Sequence, residues 1–145
     1  MDKNQCEFFA QFTYADRLTY DELLSAEGAL MARLEELLPE AGGQHLDYTP
    51  LGDMLRCQCA FESLDVENFR EIAAHIAAFL PDGITGRLLF LDKSLADLYL
   101  FWLQKGNWQE LRWPVPLTAP ADATVHHEES VAQERFDAGV NETDN

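Results

Sequence analysis

Over Cys6–Tyr14 the side chains fall into two alternating sets, Phe8, Ala10, Phe12 and Tyr14 against Phe9, Gln11 and Thr13. Period two is the signature of an extended chain, so this stretch predicts a first strand whose even-numbered set faces helices. The period then lengthens. Thr19 and Glu22 have the spacing of a capping box, and Leu23, Ala26, Leu30, Leu34 and Leu37 follow at helical intervals, predicting a helix to about residue 38. Pro39 and Gly42-Gly43 are expected to end it. Alternation resumes over 44–49 and 54–61 around the turn Pro50-Leu51-Gly52-Asp53, predicting a hairpin in which Leu55, Cys57, Cys59 and Phe61 share one face. Asp65 then caps a second helix, with Leu64 and Phe69 as a hydrophobic staple and Phe69, Ile72, Ala73, Ile76 and Phe79 or Leu80 as its buried stripe.

The densest apolar run lies in residues 86–116, which also hold all three tryptophans. It has two readings. As strands it gives 87–92, 98–104 and 108–113, the last two joined across Lys105-Gly106-Asn107. As a helix it would start at Ser94, carry Leu95, Leu98, Tyr99 and Trp102 on one stripe, and stop at Gly106. The strand reading is preferred, because 98–103 is apolar throughout, leaving a helix no polar face, and its aromatic residues suit a pleated surface. The order is then strand, helix, strand, strand, helix, strand, plus one appended hairpin. This predicts an α+β domain of ferredoxin-like βαββαβ type, an antiparallel sheet with both helices on one face.

Charge changes the picture at the C-terminus. The 145 residues hold 26 acidic and 10 basic side chains, a formal net charge of −16. From Pro114 onwards proline and polar, acidic residues replace the apolar periodicity, so a domain over 1–117 and a flexible acidic tail over 118–145 are expected, the tail with at most a transient helix over 125–138. Such acidity opposes attraction to phosphate backbones and anionic membranes. It suits solubility and basic partners. No secretory signal or membrane-spanning run is read from the sequence, and three cysteines, an odd number, fit reduced thiols, which together predict a cytoplasmic protein.

Candidate chemistry is sparse. Cys57-X-Cys59, with Cys6 or His45, is the nearest approach to a soft-metal cluster, but period-two cysteines equally describe the buried side of a strand, which is the preferred reading. Asp21-Glu22 and Glu35-Glu36 diverge by about 100° on a helix and read as solvated faces. His126-His127 lies on the predicted tail, His75 beside a buried stripe, and no phosphate-cradling glycine loop is present. No catalytic residue, metal or cofactor is assigned. The outward residues expected on the third strand, Arg56, Gln58 and Ala60, lack the aromatics of an RNA-binding sheet, so no nucleic-acid partner is expected.

What remains is the aromatic hairpin. Leu98, Leu100 and Trp102 alternate with Tyr99, Phe101 and Leu103, and two apolar sets cannot both face the helices. The set left uncovered predicts a contact surface. The sequence therefore points to a noncatalytic protein-interaction module, a small acidic regulator or inhibitor-like protein. Its expected docking residues are Trp102, Trp108, Trp113, Tyr99 and Phe101, and its expected partner is a basic protein or a second copy. The alternative is a ligand-binding or enzymatic α+β domain with an apolar cavity at a dimer interface, with His45, His75 or Tyr48 as polar groups in it.

Overall fold

A computed structural model describes residues 5–127. The elements run β1 Cys6–Tyr14, α1 Tyr20–Glu40, β2 Gly43–Pro50, β3 Met54–Phe61, α2 Val66–Phe79, β4 Ile84–Asp92, β5 Asp97–Gln104 and β6 Asn107–Pro114. The six strands form one sheet in the order β2-β3-β1-β4-β5-β6, and every neighbouring pair is antiparallel. The fold is α+β, with two helices among the described residues. The chain divides into two units, the first running to Val115 and containing all of these elements, the second beginning at Pro116. In the second, Ala123 N–H donates to the Pro120 carbonyl at 3.1 Å. Most of the helix considered over 125–138 lies outside the described residues.

Local sequence sets the helix starts. The Thr19 hydroxyl accepts from Glu22 N–H at 3.2 Å while Thr19 N–H donates to the Glu22 carboxylate at 2.9 Å, so the capping box satisfies donors on both sides of the first turn. Asp65 accepts from Asn68 N–H at the start of α2. Pro39 does not end α1 as the sequence suggests. The helix runs on to Glu40, because an exposed proline in the last turn removes only one ladder bond, and Ala41 N–H still reaches the Leu37 carbonyl at 2.9 Å.

One face of the sheet carries the core. Phe8, Phe12, Leu55, Leu88, Phe90 and Phe101 are fully buried there with Leu30, Leu34 and Leu38 of α1 and Phe69, Ile72 and Ile76 of α2. Phe69 stacks on Phe90 with ring centroids 3.9 Å apart. Gly86 belongs to this face for a steric reason: a Cβ at that position would stand 2.9 Å from the Phe12 ring. Cys6, Cys57 and Cys59 all lie on the same side, buried.

The stretch between β4 and β5 is a turn. The Asp92 carboxylate accepts from the Ser94 N–H and hydroxyl, Leu95 N–H donates to the Asp92 carbonyl at 2.8 Å, and Leu95 takes a left-handed φ of 60°. Asp92 thus supports a turn where the alternative reading starts a helix. The chain then extends into β5.

Candidate functional site

Strand pairing assigns every side chain to one of two faces. On the face without helices, Gln58, Phe9, Leu89, Leu100 and Leu111 stand in register as one row running from β3 through β1, β4 and β5 to β6. On one side of it lies the row Ala60, Glu7, Leu91, Leu98 and Trp113, and on the other Arg56, Gln11, Arg87, Trp102 and Gln109. The middle of this face is apolar and partly open to solvent: Phe9 is 37% exposed, Leu111 38%, Trp102 41% and Trp113 57%. Both helices lie on the opposite face.

The five aromatic residues singled out in the sequence therefore do not form one surface. Trp102 and Trp113 point to the open face, whereas Tyr99 and Phe101 are buried on the helix side, in odd positions of the same strand. Trp108 pairs with Leu103 and packs on Phe101, ring centroids 5.8 Å apart, so it too belongs to the core side. The missing information was the turn. Gln104 pairs directly with Asn107, so only Lys105 and Gly106 form the loop, with Gly106 at φ 73°. A two-residue loop fixes the parity of every β6 residue, and would have set Trp108 beside Leu103 and Trp113 beside Leu98 from the sequence. The same alternation would have exposed Phe9, Leu89, Leu100 and Leu111.

Towards β2 and β3 the open face dips into a concavity of about 520 Å³, lined in part by Phe9, Gln11, Thr49, Arg56, Arg87 and Leu100. Arg87 Nη2 donates to Gln11 Oε1, and Gln11 Nε2 donates to the Met54 sulfur at 3.0 Å. Among the described residues, the ion pairs of Arg17, Arg33, Arg70 and Arg112 all lie elsewhere, and none involves Arg56 or Arg87. The face also carries two carboxylates, Glu7 and Asp47. Its paired strands carry there two acids against two arginines, and Lys93 lines it beside Glu7, so these side chains sum to no net negative charge in a chain of −16.

None of the polar groups considered for a cavity lines this concavity. His45 sits exposed at the β2 bulge with φ 59°. His75 is exposed on α2, its Nδ1 2.8 Å from the Glu71 carbonyl. The Tyr48 hydroxyl donates to the Met31 carbonyl at 3.5 Å, on the helix side, and burial raises its pKa above the ordinary value. No match is found for the chain among protein-family models, curated proteins or solved structures.

Burial makes the cysteines poor nucleophiles. Burial pushes Cys57 up to about 12, with Cys59 adding to the effect, and burial likewise pushes Cys6 and Cys59 up to about 12. A thiol held protonated is neither a ready nucleophile nor a ready metal ligand. Among the described residues, no group of three His, Cys, Asp or Glu side chains is placed to hold a metal ion, and no helix is long and apolar enough to cross a membrane.

Proposed function

We propose that this chain is a noncatalytic protein-interaction module, a small regulator or inhibitor-like protein, that docks through the helix-free face of its sheet. The observation that carries the reading is the apolar row Phe9, Leu89, Leu100 and Leu111 with its neighbours Leu91, Leu98, Trp102 and Trp113, spread over four strands and, among the described residues, on the side opposite both helices. A contiguous apolar area on a sheet, bordered by polar and charged side chains, has the composition of an interface core with its rim. Trp102 and Trp113 supply the anchors, since large aromatic side chains dominate binding energy. We also read β1 to β4 with α1 and α2 as a ferredoxin-like βαββαβ arrangement, extended by the β5–β6 hairpin. The position of β1 between β3 and β4 supports that reading.

A second reading, a ligand-binding domain, rests on the concavity beside Phe9, whose apolar residues and two arginines, set against the single carboxylate of Asp47, suit a small amphipathic anion.

Site-specific photocrosslinking tests the interaction reading. A benzophenone side chain replaces Gln58 or Thr85 on the open face, or Glu36 or Glu71 on the helices, in cells of the source organism. Protein adducts are expected from the first pair and not the second. Adducts confined to the helix positions overturn the proposal.

A further inference from the structure

The charge and register of the open face say what covers it. We infer that the occupant is a second copy of this chain, its sheet packed face to face on the first about a two-fold axis running across the strands along the row Phe9, Leu89, Leu100 and Leu111. The inference rests on the docking reading above and specifies its partner.

Charge, area and self-complementarity each favour a second copy. Acidic residues crowd the helices, among them Asp21, Glu22, Glu35, Glu36, Glu67 and Glu71, whereas the open face carries no net negative charge. A basic partner would be drawn to the helix layer and would find no net attraction at the sheet. Two copies meeting sheet to sheet keep both acidic layers outermost and as far apart as the molecule allows.

Six strands about 4.8 Å apart, each of about eight residues rising ~3.4 Å, offer roughly 750 Å² per copy. A specific interface of standard size takes about 800 Å² from each partner.

A two-fold axis along the central row pairs that row with itself, which brings Asp47 at the β2 edge opposite its own copy, and exchanges the two flanking rows. Glu7 then stands opposite Gln11 of the second copy, with Arg56 and Arg87 of that copy on either side, because Gln11 pairs with both in the sheet. Leu98 is set opposite Trp102. One operation thus buries the apolar row and gives the Glu7 carboxylate, which has Lys93 nearby in its own chain, two arginines that have no ion pair within their own described chain. Within one chain, Glu7 and Arg87 are far apart, since Arg87 pairs with Gln11, four residues along β1 at ~3.4 Å each. Any coupling between them is therefore between copies.

Symmetry makes the test decisive. The full chain and the variants Glu7→Arg, Arg87→Glu and Leu100→Asp are examined by sedimentation equilibrium, with circular dichroism to confirm folding of these surface changes. The parent is expected to be a dimer of 16.5 kDa protomers. Leu100→Asp should be monomeric, and the two charge variants should each dimerise at least ~10-fold more weakly, since each places like charges together twice. An equimolar mixture of Glu7→Arg and Arg87→Glu should dimerise within a few-fold of the parent, because only the mixed dimer restores opposite charges at both sites. Interfaces of this area bind with Kd of micromolar or below, so a parent chain still monomeric at ~100 µM overturns the inference. A dimer insensitive to Leu100→Asp, or a mixture no better than its components, also overturns it. If Gln58 or Thr85 crosslinks a different protein and never a second copy, the docking reading stands and the dimer falls. If neither position crosslinks any protein, both fall.

Discussion

Cys57 and Cys59 show how much one face of one strand decides. Alternate positions on β3 point to the core, so both thiols, with Cys6 across the sheet, exchange water for apolar neighbours and hold their protons. Their pKa values rise from an ordinary 9.0 to about 12 in the fold. Tyr14 adds to this. Burial, and the Glu27 carboxylate accepting from its hydroxyl at 2.6 Å, raise it well above the usual phenol value. The sign follows from proton binding: between about pH 9 and 12 the unfolded chain releases thiol protons that the folded chain retains, so stability is full below pH 9 and declines above it. Urea denaturation should give a midpoint that is flat from pH 7 to 8.5 and falls steadily through pH 10, and replacing Cys57 and Cys59 together by alanine should flatten that fall. The burial of these residues was readable from period two alone. Their parity matched Leu55 and Phe61, and nothing about the spacing required a metal.

At the scale of elements, the β5–β6 hairpin was the least readable part, because an all-apolar strand carries no alternation to say which side is wet. Aromatic residues on both faces of β5 leave parity undetermined until pairing across a turn of known length fixes it. In the structure two contacts tie the hairpin to α2, and a third holds its own two strands together. Gly106 N–H donates to the Ala77 carbonyl at 2.7 Å near the helix end, Arg70 grips Glu110 through Nε and Nη2 at 2.9 Å, and Trp108 packs over Phe101. The tryptophans should therefore separate by role. Trp108→Ala should cost roughly 2 kcal/mol, less than the ~3–5 of a fully buried aromatic, and should raise hydrogen exchange across β6. Trp113→Ala should change stability by under ~0.5 kcal/mol while weakening association. A Trp113→Ala variant as destabilised as Trp108→Ala would place it in the fold instead of the interface. The sheet edges support association by faces. β2 is interrupted by a bulge and ends at Pro50, and β6 carries Glu110, Arg112 and a terminal Pro114, features that discourage strand addition.

For the whole molecule, composition was read correctly as strongly acidic, but a total says nothing about placement. The alternation that builds the sheet also sorts charge, leaving the open face without net negative charge and the helices acidic. This gives self-association a distinctive salt response. Two dimer halves of net charge −16 repel overall, and screening reduces that repulsion more than it weakens a few short-range pairs at a partly dry interface. Dimerisation measured from ~20 mM to ~300 mM salt should hold or tighten. A steep weakening would instead mark a complex formed through the acidic helices. The same sorting makes the helix-and-sheet unit an electric dipole directed through its thickness. On a positively charged matrix or sensor chip it should therefore adsorb helices down, oriented by its own field, and present Phe9, Leu100 and Trp113 to the solution without any engineered attachment point.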